Sequence, residues 1–213
     1  VSRRGRIALK VCAWVVCLAP LALLAWWGWR DDLTANPISF VTNTLGDWTF
    51  RILLASLALT PLRIVTGMTW QIALRRLLGL FAFFYAALHF AVWILLDHYF
   101  NWPQMAADIV KRPYITVGML ALLSLIPLAT TSTTTMIRRL GPKTWKRLHR
   151  LVYAVAIFAT LHFLWLAKVG RTDQYVYAAL VALVLGIRLW DFTRRALSRR
   201  REGALRRASP ATP

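Results

Sequence analysis

The chain has 213 residues, of which 58% are hydrophobic and 11 are tryptophan, and it carries a formal net charge of +19. So apolar a composition excludes an ordinary soluble domain, and several windows approach the ~20 apolar residues needed to cross a bilayer. The charge alone would admit a nucleic-acid binder, but the basic residues fall between the apolar windows and at the two ends, not in one patch.

Taken in order, Arg3, Arg4, Arg6 and Lys10 precede an apolar window that closes on Trp26, Trp27 and Trp29. Basic and then apolar resembles a signal peptide, but no small-x-small cleavage site follows and more apolar windows do. The expected first span is therefore 9–29, with its tryptophans at the far interface. Arg30–Asp47 reads as a polar loop. The second span, 48–65, carries Arg51, Pro61 and Arg63. Arg51, one turn inside, can snorkel outward or pair with a carboxylate on a ligand. Span three is 77–96, followed by a loop running through Asp97, His98, Trp102 and Arg112. Span four is 114–135, with Pro127 and a Thr/Ser run that can hydrogen-bond its own backbone. A basic loop turns at Gly141-Pro142. Span five is 148–167, Lys168–Gln174 is a tight loop, and span six is 175–190. The basic tail 191–213 is expected to be partly disordered beyond Arg201. The expectation is one all-α membrane bundle of six helices filling 1–213, with no second domain.

Six spans place both termini on one side. That side holds nineteen basic residues: the first four, Arg63, Arg75 and Arg76, five between Arg138 and Arg147, and seven in the tail. The other side holds five, Arg30, Lys111, Arg112, Lys168 and Arg171. Such asymmetry predicts cytoplasmic termini, and topology then accounts for the charge.

Two spans each carry one histidine deep inside, His89 and His162. An imidazole in hydrocarbon is costly unless its polar atoms find partners. The two spans run parallel. His89 lies ~18 Å beyond Leu77 and His162 ~17–21 Å beyond the start of its own span. Both are thus in the outer half at matching depth, where facing helices hold cofactors. A flat macrocycle, a b-type haem, could sit between them. His149, ~20 Å from His162 along the helix, would suit a second, inner haem. The depth-matched positions on span three are Arg75 and Arg76, which are not haem ligands, so that site lacks one. Arg75, Arg76 and Arg51 stand as candidate cofactor-binding residues. His98 reads as interfacial. Cys12 and Cys17 have no metal or redox spacing and read as small buried hydrophobes. No GxGxxG, Walker or HExxH motif is present, and the histidine depths scatter too much for zinc.

These residues resemble a family. Leu59-Thr60-Pro61-Leu62-Arg63, Arg75-Arg76-Leu77-Leu78-Gly79-Leu80, His89-Phe90, Lys111 to Gly118, Pro127 to Ser132, and Trp145 to Tyr153 with His162 following are similar to the MsrQ (YedZ) family. It belongs with the ferric-reductase-like transmembrane domains that include the NADPH oxidases. The resemblance covers about Leu9 to Trp190. It implies a haem b electron conduit of the bacterial inner membrane, a redox subunit and not itself the catalyst. It would take electrons from quinol or a cytoplasmic flavin reductase and pass them to a periplasmic molybdopterin-containing methionine-sulfoxide reductase, MsrP, for protein repair. Flavin mononucleotide (FMN) is also associated with the family. His89 and His162 correspond to the outer haem ligands, and His149 to a candidate inner ligand. The inner histidine of the NADPH oxidases is missing from span three, which leaves the haem count at one or two. No nucleotide-binding domain is appended, so the donor is expected to be separate. Two alternatives are another ferric-reductase or cytochrome b-type conduit and a histidine-containing transporter, which would need more polar groups in its spans.

Overall fold

A computed structural model describes residues 3–68, 70–166 and 172–208. It is all-helical among those residues, in the order α1 (Arg3–Trp29), α2 (Pro37–Thr66), α3 (Ile72–Val92), α4 (Trp102–Lys111), α5 (Pro113–Thr130), α6 (Thr134–Leu148), α7 (Val152–Trp165) and α8 (Asp173–Ala208). A π-helical turn, Trp93–Asp97, prolongs α3, and a 3-10 turn, His149–Leu151, joins α6 to α7. Among the described residues six helical stretches are long and apolar enough to cross a membrane: Arg4–Trp29, Pro37–Thr66, Leu74–Asp97, Pro113–Thr130, Thr134–Trp165 and Asp173–Arg199.

The six expected spans are present, but several boundaries and connections differ from the sequence reading. The second helix starts at Pro37, not at residue 48. Asn36 caps it by accepting the Ser39 N–H at 3.0 Å, and Pro37 occupies the first turn, where its missing N–H is harmless. Asn36-Pro37, inside the stretch expected to be a polar loop, is thus a helix start. The helix ends at Gly67, whose φ of 69° closes it left-handedly, with its N–H on the Arg63 carbonyl. The loop after the third span contains α4, capped by Asn101. The basic loop after the fourth span is largely helical too, broken only at Gly141 (φ 73°, ψ 154°) before Pro142. Where the tail was expected to be partly disordered beyond Arg201, α8 continues to Ala208, and residues 209–213 lie outside the described residues. The end of span five at Ala167 and most of the Lys168–Gln174 loop lie outside the described residues.

Packing follows residue size. The most extensive helix pairings are α2 with α3 and α5 with α7. Along α3, Gly79, Ala82 and Ala86 form a small-residue stripe, and Ala82 is fully buried. That stripe lets the backbones approach closely, as membrane helices do when no hydrophobic force draws them together. Ser56 on α2 crosses the gap to donate to the Arg75 carbonyl at 3.1 Å. On the other pairing, Gly118, Ala121, Leu125 and Leu128 line α5 at helical spacing, against Val155 and Ala156 of α7, both buried. Phe50 of α2 stacks on Phe163 of α7 with centroids 5.0 Å apart, joining the two pairs in one core.

Candidate functional site

Each of these two pairings supplies one histidine. His89 comes from α3 and His162 from α7, and their ring centroids are 6.3 Å apart with planes at 78°. The depth matching argued from the sequence therefore corresponds to real proximity.

Both rings are held the same way. Nδ1 of His89 donates to the carbonyl of Thr42 on α2 at 2.9 Å, and Nδ1 of His162 donates to the carbonyl of Tyr114 on α5 at 2.7 Å. A neutral imidazole whose Nδ1–H donates to a carbonyl leaves the lone pair on Nε2. Metal-binding histidines are oriented by the same kind of outer bond. Among the described residues neither Nε2 has a protein hydrogen bond.

A glycine stands four residues after each accepting carbonyl: Gly46 after Thr42 and Gly118 after Tyr114. A Cβ on Gly46 would lie 3.2 Å from the His89 ring, and one on Gly118 only 2.8 Å from the His162 ring. A side chain at either place would occupy the space through which the imidazole reaches its carbonyl. The sequence reading missed both residues. For Gly118 the one signal was a glycine inside a long apolar helix, which costs ~1 kcal/mol relative to alanine, whereas Gly46 fell in the stretch expected to be a loop.

The pair also fits a metal between the rings. His89 and His162 would hold an iron between their rings, whose centres are 6.3 Å apart, each through a neutral imidazole nitrogen. The donor set, two neutral imidazoles in an apolar bundle, suits an iron that brings its own equatorial nitrogens, as haem does.

The other predicted residues are placed elsewhere. His149 stacks on Trp145 at 3.9 Å, and its Nε2 lies 3.1 Å from the Thr131 hydroxyl, with no second histidine against it. Thr131, Thr130 and Ser132 bond carbonyls within α5, as expected of that run. Arg75 and Arg76 are exposed at the start of α3. Arg51 donates Nε to the Tyr177 hydroxyl at 3.1 Å and sits 3.9 Å from Asp47, which fastens α2 to α8.

His98 is not merely interfacial, as expected from the sequence. It is 7% exposed, lies 3.1 Å from Asp108 and 3.4 Å from Asp97, and packs on Trp93 at 4.4 Å. Asp108 also pairs with Arg112, whose guanidinium donates to the Tyr114 hydroxyl. A polar chain thus runs from α4 to the residue whose carbonyl holds His162. Cys17 is buried as expected, whereas Cys12 is exposed on α1.

Residues 45–160 match the family described as the ferric reductase like transmembrane component, a stretch that includes Gly46, His89 and Gly118 and stops just short of His162. The chain is 45% identical to the protein-methionine-sulfoxide reductase heme-binding subunit MsrQ of Ralstonia nicotianae, over 93% of this chain and 90% of that protein. It is 49% identical to the protein of the same description from Rhodospirillum rubrum, over 93% and 94% of the two chains. Identity to the one from Xanthomonas campestris pv. campestris is 45%, over 97% and 96%.

Proposed function

The chain belongs to the MsrQ family of haem-binding subunits, within the ferric-reductase-like transmembrane proteins, and on that premise we propose that it is a membrane electron carrier with a b-type haem between His89 and His162. The observation that carries this is the imidazole pair, 6.3 Å apart, with both Nδ1 atoms committed to backbone carbonyls. A haem held there supplies a one-electron redox centre. The protein's part is to present two preset Nε2 lone pairs and to surround them with apolar helices that keep bulk water away.

In this reading the termini are cytoplasmic and the membrane is the bacterial inner membrane, supported by nineteen basic residues against five. Electrons enter from the quinone pool or a cytoplasmic flavin reductase, with FMN as an associated cofactor. They leave to a periplasmic molybdopterin-containing catalytic subunit, MsrP-like, that reduces methionine sulfoxide. The whole chain acts as one such domain. Arg51, tied to Tyr177 and Asp47, is available to an acidic group on the cofactor near the outer end. His149, with Arg75 and Arg76 at the same end of the bundle, is the candidate for an inner haem, which would require its Nε2 to leave Thr131.

The test is a spectrum. Purified protein should be red and give a reducible, low-spin, bis-imidazole signature, and a pyridine haemochrome assay then counts one haem or two per chain. Well-folded protein with no haem from haem-replete cells would overturn the reading.

A further inference from the structure

Arg188 on α8 is 7% exposed, inside a helix bundle. One of its nitrogens, Nη2, donates to the carbonyl of Leu57 on α2. That carbonyl is free to accept because the residue four positions on is Pro61, which has no N–H to close the helical bond. Among the described residues Nε and Nη1 are buried without any hydrogen-bond partner. The guanidinium carbon lies 5.6 Å from the ring centre of Tyr153 on α7. Arg75, at the start of α3, is brought to the same end of the bundle, because Ser56, the neighbour of Leu57, donates to its carbonyl at 3.1 Å. Among the described residues no carboxylate bonds to the free nitrogens of Arg188. Asp191, the nearest acidic residue along α8, is engaged with Arg195 at 2.9 Å.

A buried guanidinium without a counter-ion is costly, because its desolvation is not offset. Here Pro61 leaves the Leu57 carbonyl open to the guanidinium, and the Arg75 backbone is tied to the adjoining Ser56. Such an arrangement is stable when an anion fills it. The location narrows the occupant. Leu57 is eleven residues beyond Gly46 along α2, ~16 Å at helical rise, so this is a different site from the histidine pair. Trp190 lies two residues further along α8 and the basic stretch starting at Arg194 follows, which puts Arg188 about one turn inside an interface. The surrounding basic residues draw anions to that end.

We propose that Arg188, backed by Arg75 and Tyr153, anchors a second ligand site at the basic end of the bundle, and that the site takes an oxyanion, the phosphate or carboxylate head of an amphipathic molecule. The guanidinium supplies the two unused donors, and the apolar remainder of the ligand lies among the helices. The site does not depend on a haem at the histidine pair.

The experiment compares the full chain with Arg188→Gln and Arg188→Lys in three arms. Phosphatidylglycerol is titrated into delipidated protein and followed by native mass spectrometry. FMN is titrated by fluorescence quenching. The haem-to-protein ratio is measured, which would report propionate binding by a second haem. We expect one arm to lose affinity by about tenfold or more, or to lose a bound equivalent, in Arg188→Gln. Arg188→Lys should fall between, and the responding arm names the source of the oxyanion. An unchanged low-spin spectrum from the histidine pair shows that the variant is folded and separates this site from that one. If Arg188→Gln does not accumulate, Arg188→Lys, which keeps the charge and loses the fork of donors, gives the same comparison. Wild-type protein that binds none of the three probes, or binding that is equally tight in the variants, overturns the proposal.

Discussion

A Cβ on Gly118 would lie 2.8 Å from Nδ1 of His162 and 3.0 Å from its Cε1. Contact that close is repulsive, and the atom it meets is the one that donates to Tyr114. Gly118→Ala should therefore push the ring off its carbonyl. We expect loss of most of the low-spin haem signal and a stability cost of about 1–3 kcal/mol from overpacking. Gly46→Ala, where the corresponding distance is 3.2 Å, should do the same more weakly. Absorption spectra of both variants check the order. An unperturbed Gly118→Ala spectrum would count against the held-ring geometry.

The histidines themselves separate by role. If His89 and His162 hold a haem as proposed, His89→Ala or His162→Ala would remove one of its two imidazole ligands, and should abolish the haem or convert it to high spin. His149→Ala should leave the low-spin signature in place, since that ring meets Thr131 and Trp145 instead. It should lower the haem-to-protein ratio if an inner haem is present. His98→Ala should keep the spectrum but lower stability. Retention of full low-spin haem in His89→Ala, with its loss in His98→Ala, would reverse the assignment.

Much of this was legible in the sequence, for identifiable reasons. The apolar windows and the two intramembrane histidines stand out because hydrocarbon tolerates few polar side chains, and parallel spans made their depth countable. Gly46 and Gly118 were not legible. Their role appears only when a neighbouring helix places an imidazole over them, and helix pairing is not written in a single helix. Arg188 was visible as a charge near the end of a span, but its Leu57 acceptor depends on Pro61, which lies on a different helix. Helices α4 and α6 were hidden by their charged residues, although the caps Asn101 and Thr133 were available as signals.

Orientation can be measured directly. A reporter fused after Pro213 should read cytoplasmic, and one inserted in the Asp97–Arg112 segment should read periplasmic, on the strength of the basic asymmetry. A periplasmic reading at the C-terminus would remove the case for electrons leaving by the α4 end.

The α4 end is also where the redox partner should dock, because the outer haem would be nearest that surface. Tyr99, Phe100 and Trp102 are exposed there, with Tyr99 and Phe100 held at positive φ, 46° and 61°, by the turn that follows the π-helical segment. Cross-linkers placed at Tyr99 or Trp102 should capture the catalytic subunit. Capture only from the Arg138–Arg147 stretch would contradict the direction of flow.

The last prediction concerns how α4 is attached. Asp108 has a 14% exposed side chain and binds both His98, at 3.1 Å, and Arg112, at 3.4 Å. Arg112 in turn reaches the Tyr114 hydroxyl at 3.2 Å. Asp108→Asn removes the charge that both partners face while preserving shape. Hydrogen bonds to a charged group contribute about 1.5–3 kcal/mol, so the variant should lose stability of that order, read as a lower midpoint for thermal loss of the low-spin spectrum. At room temperature the spectrum itself should be unchanged, because the bond to His162 uses the Tyr114 backbone carbonyl, not its hydroxyl. Limited proteolysis should cut the α4 segment faster in the variant. An unchanged melting midpoint together with unchanged cleavage would mean that α4 is held by its apolar face, through the buried Met105, and not by this cluster.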